Sequence, residues 1–298
     1  MGSDFEITIV EKNESNANYF LDLAIKEIRR IEKLISSWDS NSQTSKINLN
    51  AGIKPIKVDK ELFDLISRSI KISNLTQGAF DISYASLDKV WYFDKKMLEM
   101  PSEEEVKKSV YKVGFNNIVL DKKNQTVFLK NKGMKIGFGA IGKGYAADMA
   151  KLILLKNNVK SGIINASGDL TAWGEKPSGE DWMVAIVNPL KKSNVFSWLP
   201  IKNKAVVTSG NYERFIKFNG KLYSHIIDPR TGYPSEGLLS VTIFSKNAEL
   251  ADALATSVYV LGEEIGLDLI NQLNGIDCII INNKNEIVKS KNIEFDKI

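Results

Sequence analysis

Asp252 and Thr256 stand one helical turn apart in the run Ala251-Asp252-Ala253-Leu254-Ala255-Thr256, where every other residue is apolar. On a helix the two share a face. A carboxylate in such surroundings needs a partner. A hard cation would be one, with Asp252 as ligand and the Thr256 hydroxyl beside it. The alternative is a buried Asp hydrogen-bonded to neighbouring backbone. A second stretch, Lys135-Ile136-Gly137-Phe138-Gly139-Ala140-Ile141-Gly142-Lys143-Gly144-Tyr145, lies between a strand pattern and a helix pattern. Its glycines allow backbone N–H groups to turn toward an anion, and the helix start adds partial positive charge. Lys143 adds a full one. The spacing mimics a Walker-A frame, but Gly144 stands where a P-loop needs Ser or Thr on Mg²⁺. The stretch reads as a phosphate loop that is not a P-loop, or more simply as a tight strand–helix turn.

A third cluster joins Thr208-Ser209-Gly210-Asn211-Tyr212-Glu213-Arg214 to Tyr223-Ser224-His225-Ile226-Ile227-Asp228-Pro229-Arg230-Thr231-Gly232. Asp-Pro-Arg-Thr-Gly is a turn signature and can present Arg230 and Thr231 to a ligand. His225 reads either as a structural histidine or as a site residue beside that turn. Ser167-Gly168-Asp169 and Gly78-Ala79-Phe80-Asp81 are weaker signals, and each alone is more often a turn.

The 298 residues contain one His and one Cys, Cys278. That excludes an intrachain disulfide, an Fe–S cluster and the usual His/Cys zinc site. Any bound metal must be held mostly by oxygen, which points to Mg²⁺, Ca²⁺ or Mn²⁺. The net charge of +4 is spread out, with no basic stripe and interleaved aromatics, so nucleic acid is not an expected partner. No apolar run reaches the ~20 residues of a membrane helix. Met1-Gly2-Ser3 is polar and compatible with a cloning remnant, so it does not decide residence.

The elements that must position these residues follow from periodicity. Strands are expected at 5–10, 117–120, 126–130, 134–138, 161–166, 182–187, 204–208, 213–218, 222–227, 239–244, 277–281 and 286–289. Helices are expected at 17–36, 59–76, 145–156 and 263–273, with another from an Asn247 cap to Leu261, ended by Gly262. Ser102 with Glu105 marks a further helix start. The polar stretch Trp38–Asn50 reads as a structured loop. Strands and helices mix without strict alternation, which argues for α+β in a single domain over 1–298.

Taken in order, these segments resemble the ApbE family, the FAD:protein FMN transferases. The series is Ser42-Gln43-Thr44-Ser45-Lys46-Ile47-Asn48, Gly78-Ala79-Phe80-Asp81, Gly139 through Asp148, Asn165-Ala166-Ser167-Gly168-Asp169, Thr208 through Arg214, His225 through Gly232, and Ala251 through Thr256. It covers about residues 5–289. The resemblance implies an α+β, ApbE-like (T-fold-related) chain of mixed sheets and packed helices. It implies binding of FAD through Trp38, Ser42, Asp81, Lys143, Ser167, Asp169, Ser209, Tyr212, Arg214, His225, Arg230 and Thr231, with Trp38, Tyr212 and Tyr223 as candidates for ring stacking. Mg²⁺ is implied at the pyrophosphate, held by Asp252, Thr256 and the Ala140 carbonyl. Family members move FMN from FAD onto a Thr or Ser hydroxyl of a target flavoprotein and release AMP; some hydrolyse FAD to FMN and AMP instead. His225 is the expected group to orient or deprotonate the hydroxyl, with Asp228 as the other candidate base. A flavin-binding carrier without catalysis is the reading from a different class. The family is commonly exported and lipid-anchored, so the bacterial cell envelope is the expected location, with membrane association only through an N-terminal anchor. Gly137 replaces a frequent Asp, Gln43 a frequent Glu, Ser167 a frequent Gly and Ser83 a common Thr. The Gly137 change removes a negative charge near the phosphate loop and leaves the number of metals open.

Overall fold

The computed structural model describes residues 3–93, 97, 99–188, 191–210, 215–218 and 220–293, with only the backbone for 187–188, 191–196 and 221. The strands are β1 (Phe5–Ile9), β2 (Ile56–Lys57), β3 (Ile118–Asp121), β4 (Thr126–Leu129), β5 (Gly162–Ala166), β6 (Asp169–Trp173), β7 (Trp182–Asn188), β8 (Lys191–Ile201), β9 (Ala205–Gly210), β10 (Phe215–Phe218), β11 (Lys221–Ser224), β12 (Leu238–Ser245), β13 (Asp277–Asn282) and β14 (Ile287–Lys289). The helices are α1 (Glu14–Ile35), α2 (Gln43–Leu49), α3 (Lys60–Leu75), α4 (Glu103–Ser109), α5 (Gly142–Lys156), α6 (Ala248–Leu261) and α7 (Glu263–Asn271). Among the described residues no helix is long and apolar enough to cross a membrane. The α+β class holds. The chain divides into two compact units, Met1–Ile31 with Ile141–Tyr212 and Gly237–Ile298, and Glu32–Ala140 with Glu213–Glu236.

The first unit is built on a seven-stranded antiparallel sheet in the order β1-β5-β6-β9-β12-β13-β14. Alternation along each strand sends successive side chains to opposite faces. One face carries Ala172, Val206, Phe244 and Ile279, packed with Ile186 and Ile201 of the β7–β8 hairpin. The other carries Val207, Val241, Ile243 and Ile280, buried beneath α5, α6 and α7. Because both faces are covered, β12 is buried along its whole length and reads as an apolar run rather than an alternation.

In the second unit, β2, β4 and β3 form a small antiparallel sheet and β10 pairs with β11. The apolar side of α3 buries Leu62, Leu65 and Ile66. Trp91, Val106 and Ile216 form a core cluster with Phe93, Tyr223 and Ile227 against it. Ser102 and Glu105 make the full capping box at α4.

Some local expectations fail for physical reasons. Residues 43–49 are helical, not a loop, because the Ser42 hydroxyl accepts the Ser45 N–H and starts α2. Residues 134–138 join no ladder; β4 takes β2 as its second neighbour instead. The Asn247 side chain makes no cap hydrogen bond, although Gly262 does end α6 in a left-handed conformation, φ 82°.

Candidate functional site

In the first unit, α5 and α6 meet at Gly144. A Cβ there would stand 2.2 Å from the Ala248 carbonyl oxygen, so no side chain fits. This is why the Walker-A hydroxyl is absent: the position is consumed by helix packing. The Gly144 N–H donates to Asp252 Oδ2 at 3.2 Å, across from α6. Reciprocally, the Glu249 N–H donates to Asp148 Oδ2 of α5 at 2.9 Å. Each helix supplies a carboxylate to the first turn of the other, where unpaired N–H groups and the positive end of the dipole favour it. Asp148, not Asn247, therefore caps α6. Burial pushes the Asp148 carboxyl up to about 6, against the pull of the Glu249 and Ala248 N–H groups.

Asp169 opens β6 and pairs in register with Val207, which turns its side chain to the face beneath the helices. It is 1% exposed. Lys143 Nζ lies 3.2 Å from Asp169 Oδ1. Asp169 Oδ2 is buried and receives no N–H or hydroxyl hydrogen bond, and the Asp169 carboxyl lies in hydrogen-bonding reach of the Asp252 carboxyl. Burial first, and then the neighbouring Asp252 carboxylate, hold the Asp169 carboxyl well above the usual range, with Lys143 pulling it down. Asp252 is raised too, chiefly by burial, and is lowered by Lys143, Asp169 and the Gly144 N–H. A protonated Asp169 thus donates to Asp252, and the two buried carboxyls share a proton beside one ammonium. The Thr256 and Ser209 hydroxyls lie 3.4 Å apart beside α6 and β9. Among the described residues no three His, Cys, Asp or Glu cluster together. The donors here are carboxylates and hydroxyls, a set that suits a hard divalent cation with water or substrate oxygens completing it. Such an ion would take the place of the proton shared by Asp169 and Asp252.

In the second unit, His225 follows β11 directly and meets the Phe93 ring edge-on, 6.5 Å between centroids. Asp228 is fully engaged. Its Oδ1 accepts the Arg230 N–H and Nε–H at 2.9 Å each, and its Oδ2 accepts Arg230 Nη2 at 2.8 Å. The Arg230 side chain remains 38% exposed. A Cβ on Gly78 would stand 3.5 Å from Arg230 Cγ, so the glycine lets the arginine stem lie against it. The fold thereby brings Gly78-Ala79-Phe80-Asp81 to the Asp-Pro-Arg-Thr-Gly turn. Gly232, at φ 79°, would carry a Cβ into Val110, Ser109 and Val106, and its carbonyl accepts Trp91 Nε1–H at 2.8 Å. The Thr231 hydroxyl accepts the Tyr233 N–H within the turn. Both Asp81 oxygens accept backbone N–H groups, from Ser83 at 2.7 Å and Phe115 at 2.8 Å. Burial still raises its carboxyl above the ordinary value. Tyr223 stacks on Trp91 in the core.

Ser42 is buried as the α2 cap, whereas Trp38 is 95% exposed. Ser167 and Gly168 form a two-residue β5–β6 turn with φ of 52° and 98°. Ala140 closes the run after Gly139, where a Cβ would strike the Tyr84 hydroxyl. A Cβ on Gly137 would stand 3.0 Å from that of Ala85, so the carboxylate frequent at this position cannot be added without local movement. Tyr212 and Arg214 lie outside the described residues. The sequence alone gives no role to Asp148, the last residue of the segment Gly139 through Asp148. Its signal was its place one helical turn after Gly144. Lys151 was missed as well. Its ammonium reaches the Thr171 hydroxyl at 3.2 Å and the Ala172 carbonyl at 3.1 Å, and burial pulls it down from the ordinary lysine value.

Residues 1–280 match the ApbE family model. An FAD:protein FMN transferase of Klebsiella pneumoniae (strain 342) is 30% identical over 97% of this chain and 89% of its own. Among solved structures, the ApbE protein of Thermotoga maritima superposes with a TM-score of 0.87 at 31% identity, over 97% of this chain and 96% of that one. The apo form of the flavinyl transferase ApbE of Pseudomonas stutzeri gives 0.86 at 26% identity, over 98% and 92%. The family match draws on both units and takes in every motif described above, and the chain belongs to the ApbE family.

Proposed function

We propose that the protein transfers FMN from FAD to a Thr or Ser hydroxyl of a target flavoprotein and releases AMP. Family membership supports the class of reaction. The observation that carries the chemistry is the buried Asp169–Asp252 carboxyl pair, hydrogen-bonded to one another with Lys143 beside Asp169. A cation could take the place of the proton such a pair shares, which suits the handling of a cation-bound pyrophosphate. Phosphoryl transfer is mainly positioning and charge stabilisation. Asp252 and Thr256 would hold Mg²⁺, which supplies neutralisation of the charge developing on the leaving AMP. Lys143 adds a fixed positive charge to the same region. The bond from the FMN phosphorus to the bridging oxygen breaks, a bond to the acceptor oxygen forms, and AMP leaves with the bridging oxygen. His225 takes the acceptor proton. Asp228 holds Arg230 rather than acting as base. The proposed location is the bacterial cell envelope, on the family resemblance.

The test incubates protein, FAD and Mg²⁺ with and without a target flavoprotein domain. Covalent FMN on the target with stoichiometric AMP is expected. FMN and AMP appearing equally without a target would replace transfer by hydrolysis. FAD that stays bound and unchanged would overturn both.

A further inference from the structure

We propose that Asp148 is a positioning residue for the metal-binding carboxylate Asp252. The proposal rests on the assignment of Asp252 as a metal ligand made above. Asp148 touches no reacting atom. It acts through the N-terminus of α6, whose Glu249 N–H it accepts at 2.9 Å. One turn further along α6 is Asp252, which returns the interaction to the Gly144 N–H of α5 at 3.2 Å. Between the two contacts the backbones are in van der Waals contact, with no room for a Cβ at Gly144 against the Ala248 carbonyl. The Asn247 side chain makes no cap bond, and while Ser245 Oγ accepts the Asn247 N–H, it is Asp148 that accepts within the first turn of α6. Two contacts on opposite sides of one close crossing fix both the slide and the rotation of α6 relative to α5. The residues fixed thereby are Asp252 on α6 and Lys143 on the first turn of α5, which faces Asp169. Without Asp148, α6 frays at its start, and the carboxylate loses its fixed distance from its neighbours.

The experiment reads metal binding directly, by Mn²⁺ titration under electron paramagnetic resonance, in the whole protein without FAD. Wild type is compared with Asp148→Ala, Asp148→Asn and Asp252→Ala. Thermal melting checks the fold of each. Asp148→Ala is expected to raise the Mn²⁺ dissociation constant at least tenfold. Asp148→Asn still offers an oxygen to the Glu249 N–H and is expected within threefold of wild type. A merely electrostatic role would impair Ala and Asn alike, and that result overturns the proposal. Wild-type affinity in Asp148→Ala also overturns it. Asp148→Glu keeps the charge but displaces the oxygen by one methylene. It carries the test should the alanine variant not fold, with weakened binding expected and wild-type affinity overturning the proposal. Unchanged Mn²⁺ affinity in Asp252→Ala would instead remove the assignment on which the proposal rests.

Discussion

Arg230 holds both carboxylate oxygens of Asp228, through Nε at 2.9 Å and Nη2 at 2.8 Å, while its own backbone N–H binds the same Oδ1. A carboxylate so occupied has both oxygens committed to Arg230, and the guanidinium it holds is fixed in direction. The ion pair in turn holds Arg230 above its ordinary pKa. Asp228→Asn is expected to raise KM for FAD while kcat stays within about tenfold, whereas His225→Ala should lower kcat by 10²-fold or more. Steady-state transfer kinetics separate the two. A collapse of kcat in Asp228→Asn would make Asp228 the base.

Asp252→Ala removes one of the two buried carboxylates and the acceptor of the Gly144 N–H. Mg²⁺-dependent turnover is expected to fall below detection. The fold should lose only about 1 kcal/mol, because relief of repulsion with Asp169 offsets part of the lost cap. Turnover across a Mg²⁺ series, with urea melts of the same samples, checks both statements. Full activity would show that the ion is held elsewhere.

The Asp148 carboxyl, raised to about 6 by burial, makes stability pH-dependent. Its ordinary value is 3.8. Between about pH 4 and 6 the folded chain holds a proton that the unfolded chain has released. Stability therefore falls as pH rises through that window, and the cost is complete above pH 6. About two pKa units correspond to at most about 3 kcal/mol. Asp148→Asn should remove this dependence and be the more stable protein at pH 7.5. Paired urea melts at pH 4.5 and 7.5 measure the difference between the two proteins, in which the common contribution of Asp169 and Asp252 cancels.

Ser167 sits at φ 52° in the β5–β6 turn. A left-handed conformation costs a residue with a Cβ about 1 kcal/mol relative to glycine. Against this stands one exposed hydrogen bond from the Ser167 hydroxyl to the Asp4 carbonyl. Ser167→Gly is expected to stabilise the protein by up to about 1 kcal/mol without changing the rate of transfer. A loss of FAD affinity would instead give the hydroxyl a binding role.

Cys278 is fully buried on β13, and burial pushes its thiol up to about 12. It should resist iodoacetamide in the folded protein and react once the sheet opens, so pulse alkylation follows global unfolding. Labelling faster than unfolding would show that β13 opens locally.

Much of this protein is legible in the chain itself. The periods of α3 and α7 were readable because each buries one side, the end of α6 because Gly262 stops it, and the Ser102–Glu105 box because capping is local. The scarcity of His and Cys fixed the kind of metal chemistry open to the protein. Gly144 signalled that the glycine-rich loop is no P-loop. What the chain could not state was why. The reason is the Ala248 carbonyl, a hundred residues away in sequence and in contact in space. For the same reason the pairing of Asp148 with the start of α6, of Lys143 with Asp169, and of Asp169 with Asp252 were invisible. Hydrogen bonding and desolvation between distant segments depend on positions that only packing assigns. Residue type and spacing determined which groups could do chemistry, and tertiary structure decided which carboxylates are capped, which are clamped and which two are buried against one another.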